Sequence, residues 1–316
     1  MSSTPTGNSY SDWQQREPQG FAAPEILPPL SNDGPAHPHD WSYQPAYAQP
    51  APVPTPAPRA KRNPLVNWQA APATYLLVFA NVAVFLLMLF THSQPASLMG
   101  TPTPDALMDW GANSSASVLI DHEWWRLFTA MFIHIGILHL ATNMWCLWNL
   151  GLLGEPMLGP LGMAAVYLLT GVAGNLLGLG ADALMSGLQG TQLSTSPSAG
   201  ASGAVFGIAG LLIIFLYRAR LPIAQTELHR LRRSVMFFAA INFVLGAGIN
   251  LAPTGMKIDN MAHLGGFLMG IALGLGMASA FGMGRQKYFR RQGSVFVLAA
   301  VLMAAVGFGV AEFWGA

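Results

Sequence analysis

Residues 196–210 read SPSAGASGAVFGIAG, and one serine, Ser202, stands there between Gly200 and Gly203 at the start of an apolar run that continues to Tyr217. Gly203 and Gly207 are four residues apart, and Gly210 extends the small face. On a helix such residues share one side and let a neighbouring backbone approach closely. The stretch reads as the opening of a membrane helix. Its hydroxyl is either a small packing group or a nucleophile.

The composition settles the solvent. The 316 residues are 52% hydrophobic and only 9% charged, whereas soluble domains carry about a quarter charged residues. A net charge of +1 gives no reason to expect a nucleic-acid partner. The single cysteine, Cys146, excludes an internal disulfide framework and a cysteine-based metal site. The first twenty residues are polar, without the apolar core of a secretory signal or the Arg-rich bias of a transit peptide. An internal span is therefore expected to drive insertion, and the setting expected on this ground is a bacterial cytoplasmic membrane.

Two regions follow. Thirteen of the 23 prolines precede Asn63, many of them in QPAPVPTPAP. Residues 1–65 are expected to be a disordered, proline-rich cytoplasmic tail, because such a segment buries too little apolar surface to offset its ordering entropy. Residues 66–316 form the membrane domain. Apolar runs near the length of a bilayer span recur there, about 20 residues each. They cover residues 74–90, 134–153, 161–180, a fourth run that starts in the 196–210 motif and ends near Tyr217, and then 234–251, 260–281 and 294–314. Seven spans put twelve of the fifteen Lys and Arg on one side, in three groups: Arg59 to Arg62, Arg218 to Arg233, and Arg285 to Arg291. Basic connections stay in the cytoplasm, so the amino terminus is expected inside and the carboxyl terminus outside. The long outer connection between the first two spans carries DHEWWRLFTAMFIH.

Polar groups inside spans are costly and mark function. His134, His139 and Asn143 fall in the second span, Ser202 in the fourth and His263 in the sixth. Helical rise places His139, Ser202 and His263 about 21, 22 and 27 Å from the inner ends of their spans. Three helices thus bring a serine, two histidines and an asparagine to one outer level. A serine hydroxyl needs a base within hydrogen-bond reach, and His263 is the better candidate. His139 shares a helix face with Asn143 instead. Backbone N–H groups at the start of the Ser202 helix are free to hold an oxyanion, with His139 and Asn143 completing the hole. Gly266 and Gly270 repeat the four-residue spacing of Gly203 and Gly207. If those faces meet, His263 lies beside Ser202.

These residues resemble the rhomboid family of intramembrane serine proteases, from about residue 72 to the end. The motifs are Trp125-Arg126 in the outer connection, His139-xxx-Asn143, Gly200-Ala-Ser202-Gly203, and Ala262-His263-xx-Gly266-xxx-Gly270. The resemblance implies an all-α polytopic fold, with a six-helix core followed by a seventh helix. It also implies a Ser–His dyad with no acidic third member: Ser202 as nucleophile, His263 as general base and then acid. The Ser202 backbone N–H, His139 and Asn143 would form the oxyanion hole. His134 matches a histidine near the same site. Phe206 matches an aromatic position that packs on the base, often tyrosine in the family, so the ring is kept and the hydroxyl lost. Trp125 and Arg126 match an element that holds the outer connection at the membrane interface. The implied partners are transmembrane substrates and the bilayer, cut near the outer face, with no cofactor and no metal. Residues 250–259, NLAPTGMKID, are expected to cap the site as a mobile turn.

Other readings fit less well. A non-catalytic binder of transmembrane segments would not need the serine and base together. Transporters carry paired repeats and charges within several spans, whereas these runs show no convincing repeat and no Asp, Glu, Lys or Arg deep within a span. His134 and His139 are five residues apart with no HExxH, which removes the zinc-protease pattern. The residues carry no signal for an oligomeric state.

Overall fold

The computed structural model describes residues 71–91, 102–251 and 259–315. The proline-rich segment 1–65 lies outside the described residues, as does most of the expected cap at 250–259. The described chain is helical, and its only β feature is an isolated bridge between Asn113 and Ser198. Seven helices have 17 residues or more: α1 (Pro72–Thr91), α5 (Ile137–Leu158), α6 (Pro160–Gln189), α7 (Ser202–Arg218), α8 (Gln225–Leu251), α9 (Asn260–Ala278) and α10 (Arg285–Gly315). Three short helices, α2 (Pro104–Asp109), α3 (Ser115–Leu119) and α4 (Arg126–Thr129), build the connection after α1. The chain is an all-α polytopic membrane protein of the kind the sequence predicts. Helices α1, α6, α9 and α10 are long and apolar enough to cross a bilayer. The pair formed by residues 126–132 and α5 makes a fifth candidate span, bent by 93°. Helix α7 is apolar but shorter, and α8 opens on Glu227, Arg230, Arg232 and Arg233.

Several boundaries differ from expectation for local reasons. The second span was expected to begin at residue 134, but α5 begins at Ile137 and His134 sits in the non-helical turn before it. The 3-10 turn Ala130–Phe132 ends at Ile133 in extended backbone, which breaks the helical path there. The connection expected at residues 154–160 is largely helical: α5 runs through Pro156 to Leu158, and only Gly159 separates it from α6. Gly159 takes φ +73, and Pro160 follows at the first helical position, where its missing N–H costs nothing. Glu155 is consequently inside a helix. Its carboxylate accepts from the Ala73 and Thr74 N–H groups (2.9 and 2.7 Å) and from the Thr74 hydroxyl (2.6 Å), so it satisfies free donors at the start of α1.

Burial separates the helices. Helix α7 is buried almost all round, from Gly203 to Leu212 and again at Phe215 and Leu216. A helix apolar on every face belongs at the centre of a membrane bundle. Helix α10 is mostly exposed, with Val297, Val301, Val306 and Phe308 facing outward, as suits a lipid-facing helix. Helices α6, α7 and α9 meet along glycines. A Cβ on Gly266 would overlap the Gly203 carbonyl oxygen, and one on Gly270 would overlap that of Gly207. The partner numbers rise together, so α7 and α9 run parallel in fixed register. On α6, Gly174 lies against Ala262 and Gly203, whereas Thr170 lies against Gly207. Those numbers run in opposite senses, so α6 is antiparallel to both.

Candidate active site

The chain enters α7 through a well-anchored glycine turn. Gly200 has φ +136, a conformation that L side chains rarely adopt. Its N–H donates to the Ala130 carbonyl at 2.9 Å. Ser198 is paired with Asn113 through both backbone bonds, at 2.7 and 2.9 Å. The turn delivers Ser202 as the first residue of α7, where backbone N–H groups have no partner within the helix. His263 is in the first turn of α9, which Asp259 caps by accepting from the Ala262 N–H at 2.9 Å. The Nε2 atom of His263 lies 2.8 Å from the Ser202 Oγ. The parallel glycine register holds this contact, because Gly203 follows Ser202 directly and packs against Gly266, which lies within one turn of His263 on α9.

The predicted depths meet at one level because helices begin there. Ser202, His263 and His139 all occupy the first turn of their helices. The His139 ring stands against Gly200: a Cβ there would lie 2.7 Å from His139 Cε1 and 3.8 Å from the Ser202 Oγ. Asn143 is buried one turn further along α5, and its Nδ2 donates to the His139 carbonyl at 2.9 Å. One of its two amide hydrogens is thereby committed to its own helix. His134 is fully buried, and its Nε2 accepts from the Ala201 N–H at 3.5 Å. The His134 and His139 rings are 5.3 Å apart, centre to centre. Phe206 stacks on His263 with centroids 4.6 Å apart and planes 20° from parallel. The His263 Nδ1 atom is buried without a hydrogen-bond partner among the described residues, so no carboxylate reaches it there. No group of three His, Cys, Asp or Glu side chains gathers among the described residues in a way that could hold a metal ion.

Trp125 and Arg126 work within the connection after α1. Arg126 is buried and donates from Nη1 to the Met108 and Ala112 carbonyls (2.6 and 2.9 Å). Its Nε pairs with Glu123, and its guanidinium lies 4.5 Å from the Trp125 ring centre. Trp125 is half-exposed. One arginine thus joins α2, the residues before α3, and α4.

The sequence reading omitted the contribution of α6. Gly171, Gly174 and Gly178 form a small-residue stripe like those of α7 and α9, and this spacing was available as a signal. It also gave no part to Ser198, whose hydroxyl donates to the Asp259 carboxylate at 3.3 Å. No local pattern marks that contact.

Residues 121–280 match a family model described as the Rhomboid domain. The chain is 32% identical over 213 residues to Rhomboid protease GluP of Bacillus subtilis, an alignment that covers 66% of this chain and 36% of that protein. It therefore spans well under half the length of that relative. It is 30% identical over 270 residues to RHOMBOID-like protein 6, mitochondrial, of Arabidopsis thaliana, covering 73% of this chain and 81% of the relative. RHOMBOID-like protein 2 of the same plant is also 30% identical over 270 residues, with 74% and 78% covered. The matched segment runs from the connection after α1 through α9 and contains both the serine and the histidine that meet at 2.8 Å. The chain belongs to the rhomboid family of intramembrane serine proteases.

Proposed function

We propose that the chain is an endopeptidase that cleaves transmembrane segments near the outer face of the membrane through a Ser202–His263 dyad. The observation that carries this reading is the 2.8 Å contact between His263 Nε2 and Ser202 Oγ. His263 takes the Ser202 proton as the hydroxyl attacks a peptide carbonyl. The negative charge on that oxygen is met by the free Ser202 N–H and by the His139 and Asn143 side chains. His263 then gives its proton to the leaving amine, and an acyl-enzyme remains. Water attacks the acyl group with His263 again as base, which returns Ser202 to its starting state. Phe206 holds the imidazole plane, and His134 fixes the backbone just before the nucleophile.

The substrate must present an extended peptide, because the carbonyls of an intact helix are already bonded. A transmembrane helix with small or helix-breaking residues near its outer end unwinds at least cost. The basic residues put the amino terminus in the cytoplasm and the carboxyl terminus outside a cell membrane, with α7 and α8 completing seven spans.

The test is cleavage of a single-span substrate in liposomes by wild type, Ser202→Ala and His263→Ala. A serine-reactive fluorophosphonate is applied to the same samples. Wild type is expected to cleave and to label. Both variants are expected to lose cleavage, and Ser202→Ala also loses the label. Cleavage at wild-type rate by Ser202→Ala would refute the dyad.

A further inference from the structure

Two pairs of residues tie the α7 and α9 starts together, and both are separated by 61 positions: Ser202 with His263, and Ser198 with Asp259. Each partner of the second pair stands four residues before its counterpart in the first. Asp259 uses both carboxylate oxygens. Oδ1 accepts from the Ala262 N–H at 2.9 Å and caps α9. Oδ2 accepts from the Ser198 hydroxyl at 3.3 Å. Ser198 is itself held by the paired backbone bonds to Asn113. Helix α6 leaves room for the carboxylate at Gly178, where a Cβ would come within 2.5 Å of Oδ2.

We propose that Asp259 is a positioning residue, and that its hydrogen bond with Ser198 sets the spacing between nucleophile and base. This rests on the dyad reading above. The glycine register of α7 and α9 fixes how the two helices pack. It does not fix the turn at residues 196–201, which precedes α7 and aims Ser202. The Ser198–Asp259 bond joins that turn directly to the first residue before the base helix. Without it, the turn is still held to Asn113 and Ala130, but among the described residues no other side-chain bond couples it to α9. A near-attack geometry tolerates little drift, since about 1 Å of misplacement costs about a hundredfold in rate. The cap and the bond to Ser198 are separable by mutation. Ser198→Ala removes only the bond. Asp259→Ala removes both. Asp259→Asn keeps an acceptor for the Ala262 N–H and an amide that the Ser198 oxygen can accept from.

The experiment measures kcat and KM for a single-span substrate with the full chain in liposomes, together with the rate of fluorophosphonate labelling and the melting temperature. Ser198→Ala is expected to lower kcat, per labelled molecule, by about tenfold, with KM and melting temperature near wild type. Labelling slows by a similar factor. Asp259→Asn recovers most of the rate lost in Asp259→Ala, and Ser198→Ala adds nothing further in the Asp259→Ala background. A merely structural bond would lower the melting temperature and leave kcat per labelled molecule unchanged, which overturns the proposal. Additive losses in the double variant overturn it as well. If Asp259→Ala does not fold, Ser198→Ala and Asp259→Asn decide alone. Ser202→Ala separates the two readings. Cleavage that survives in Ser202→Ala sinks the dyad itself. Cleavage abolished there but untouched in Ser198→Ala sinks only the positioning role.

Discussion

A single ring packs against His263, the proposed base. Phe206 is one turn after Ser202 on α7, and it stacks on His263 from the helix face that carries Ser202. Such a pair contributes about 0.5–1.5 kcal/mol beyond its buried area. Phe206→Ala is expected to lower kcat by up to about tenfold, because the imidazole loses its preferred plane. Phe206→Tyr keeps the ring and retains most of the activity. Steady-state cleavage of a single-span substrate distinguishes the two, and equal rates in Phe206→Ala and wild type would remove the stacking role. Gly200 makes a sharper case. Alanine there must hold φ +136 and put its Cβ into the His139 ring. The backbone strain alone costs about 1–3 kcal/mol. Gly200→Ala should lose fluorophosphonate labelling of Ser202 even where the protein remains folded, and normal labelling would contradict this account of the turn.

Helices α7 and α9 can touch because neither carries a side chain where they cross. Gly266→Ala would push a methyl group into the Gly203 carbonyl. The backbones must separate, at a cost of about 1–3 kcal/mol for overpacking. The same movement parts Ser202 from His263. A lower melting temperature and a loss of labelling are both expected. Gly309→Ala is the matched control, since the space around that position on α10 is open, and it should change neither quantity. The connection between α1 and α5 depends on Arg126 in a comparable way. Its buried guanidinium supplies charge-assisted bonds to two carbonyls, of a kind worth about 1.5–3 kcal/mol each. Arg126→Ala is expected to lower the melting temperature in detergent and to raise the susceptibility of residues 102–125 to protease. Arg126→Lys recovers only part of the loss, because an ammonium lacks the planar fork. Full recovery by lysine would argue against the two-carbonyl role.

At the scale of the whole molecule, the proposed orientation can be read by labelling introduced cysteines, with the buried Cys146 as a quiet background. Thr191→Cys in the turn after α6 should react with an impermeant reagent in intact cells. Pro222→Cys between α7 and α8, and Met283→Cys between α9 and α10, should react only after permeabilisation. Labelling of Pro222→Cys and Thr191→Cys from one side would overturn the span count.

How far the chain could be read without its structure follows from what each inference needed. Apolar runs, basic connections and glycine spacing are properties of neighbouring residues. They announced an all-α membrane protein and marked Ser202, His263, His139 and Asn143 as candidates before any contact was known. Helix ends were less legible. The chain carries α5 through Pro156 and starts it after His134, because the carboxylate of Glu155 is needed at the start of α1 and the 3-10 turn must end before α5 can begin. Contacts between residues distant in the chain were not legible at all. Ser202 and His263 are 61 positions apart, and only the parallel register of α7 and α9, with α6 packed antiparallel against both, puts their atoms at hydrogen-bond distance. Composition and periodicity are local and determine what kind of helices form and in what solvent. Register depends on which faces interlock across the bundle, and it is the tertiary packing that decides it.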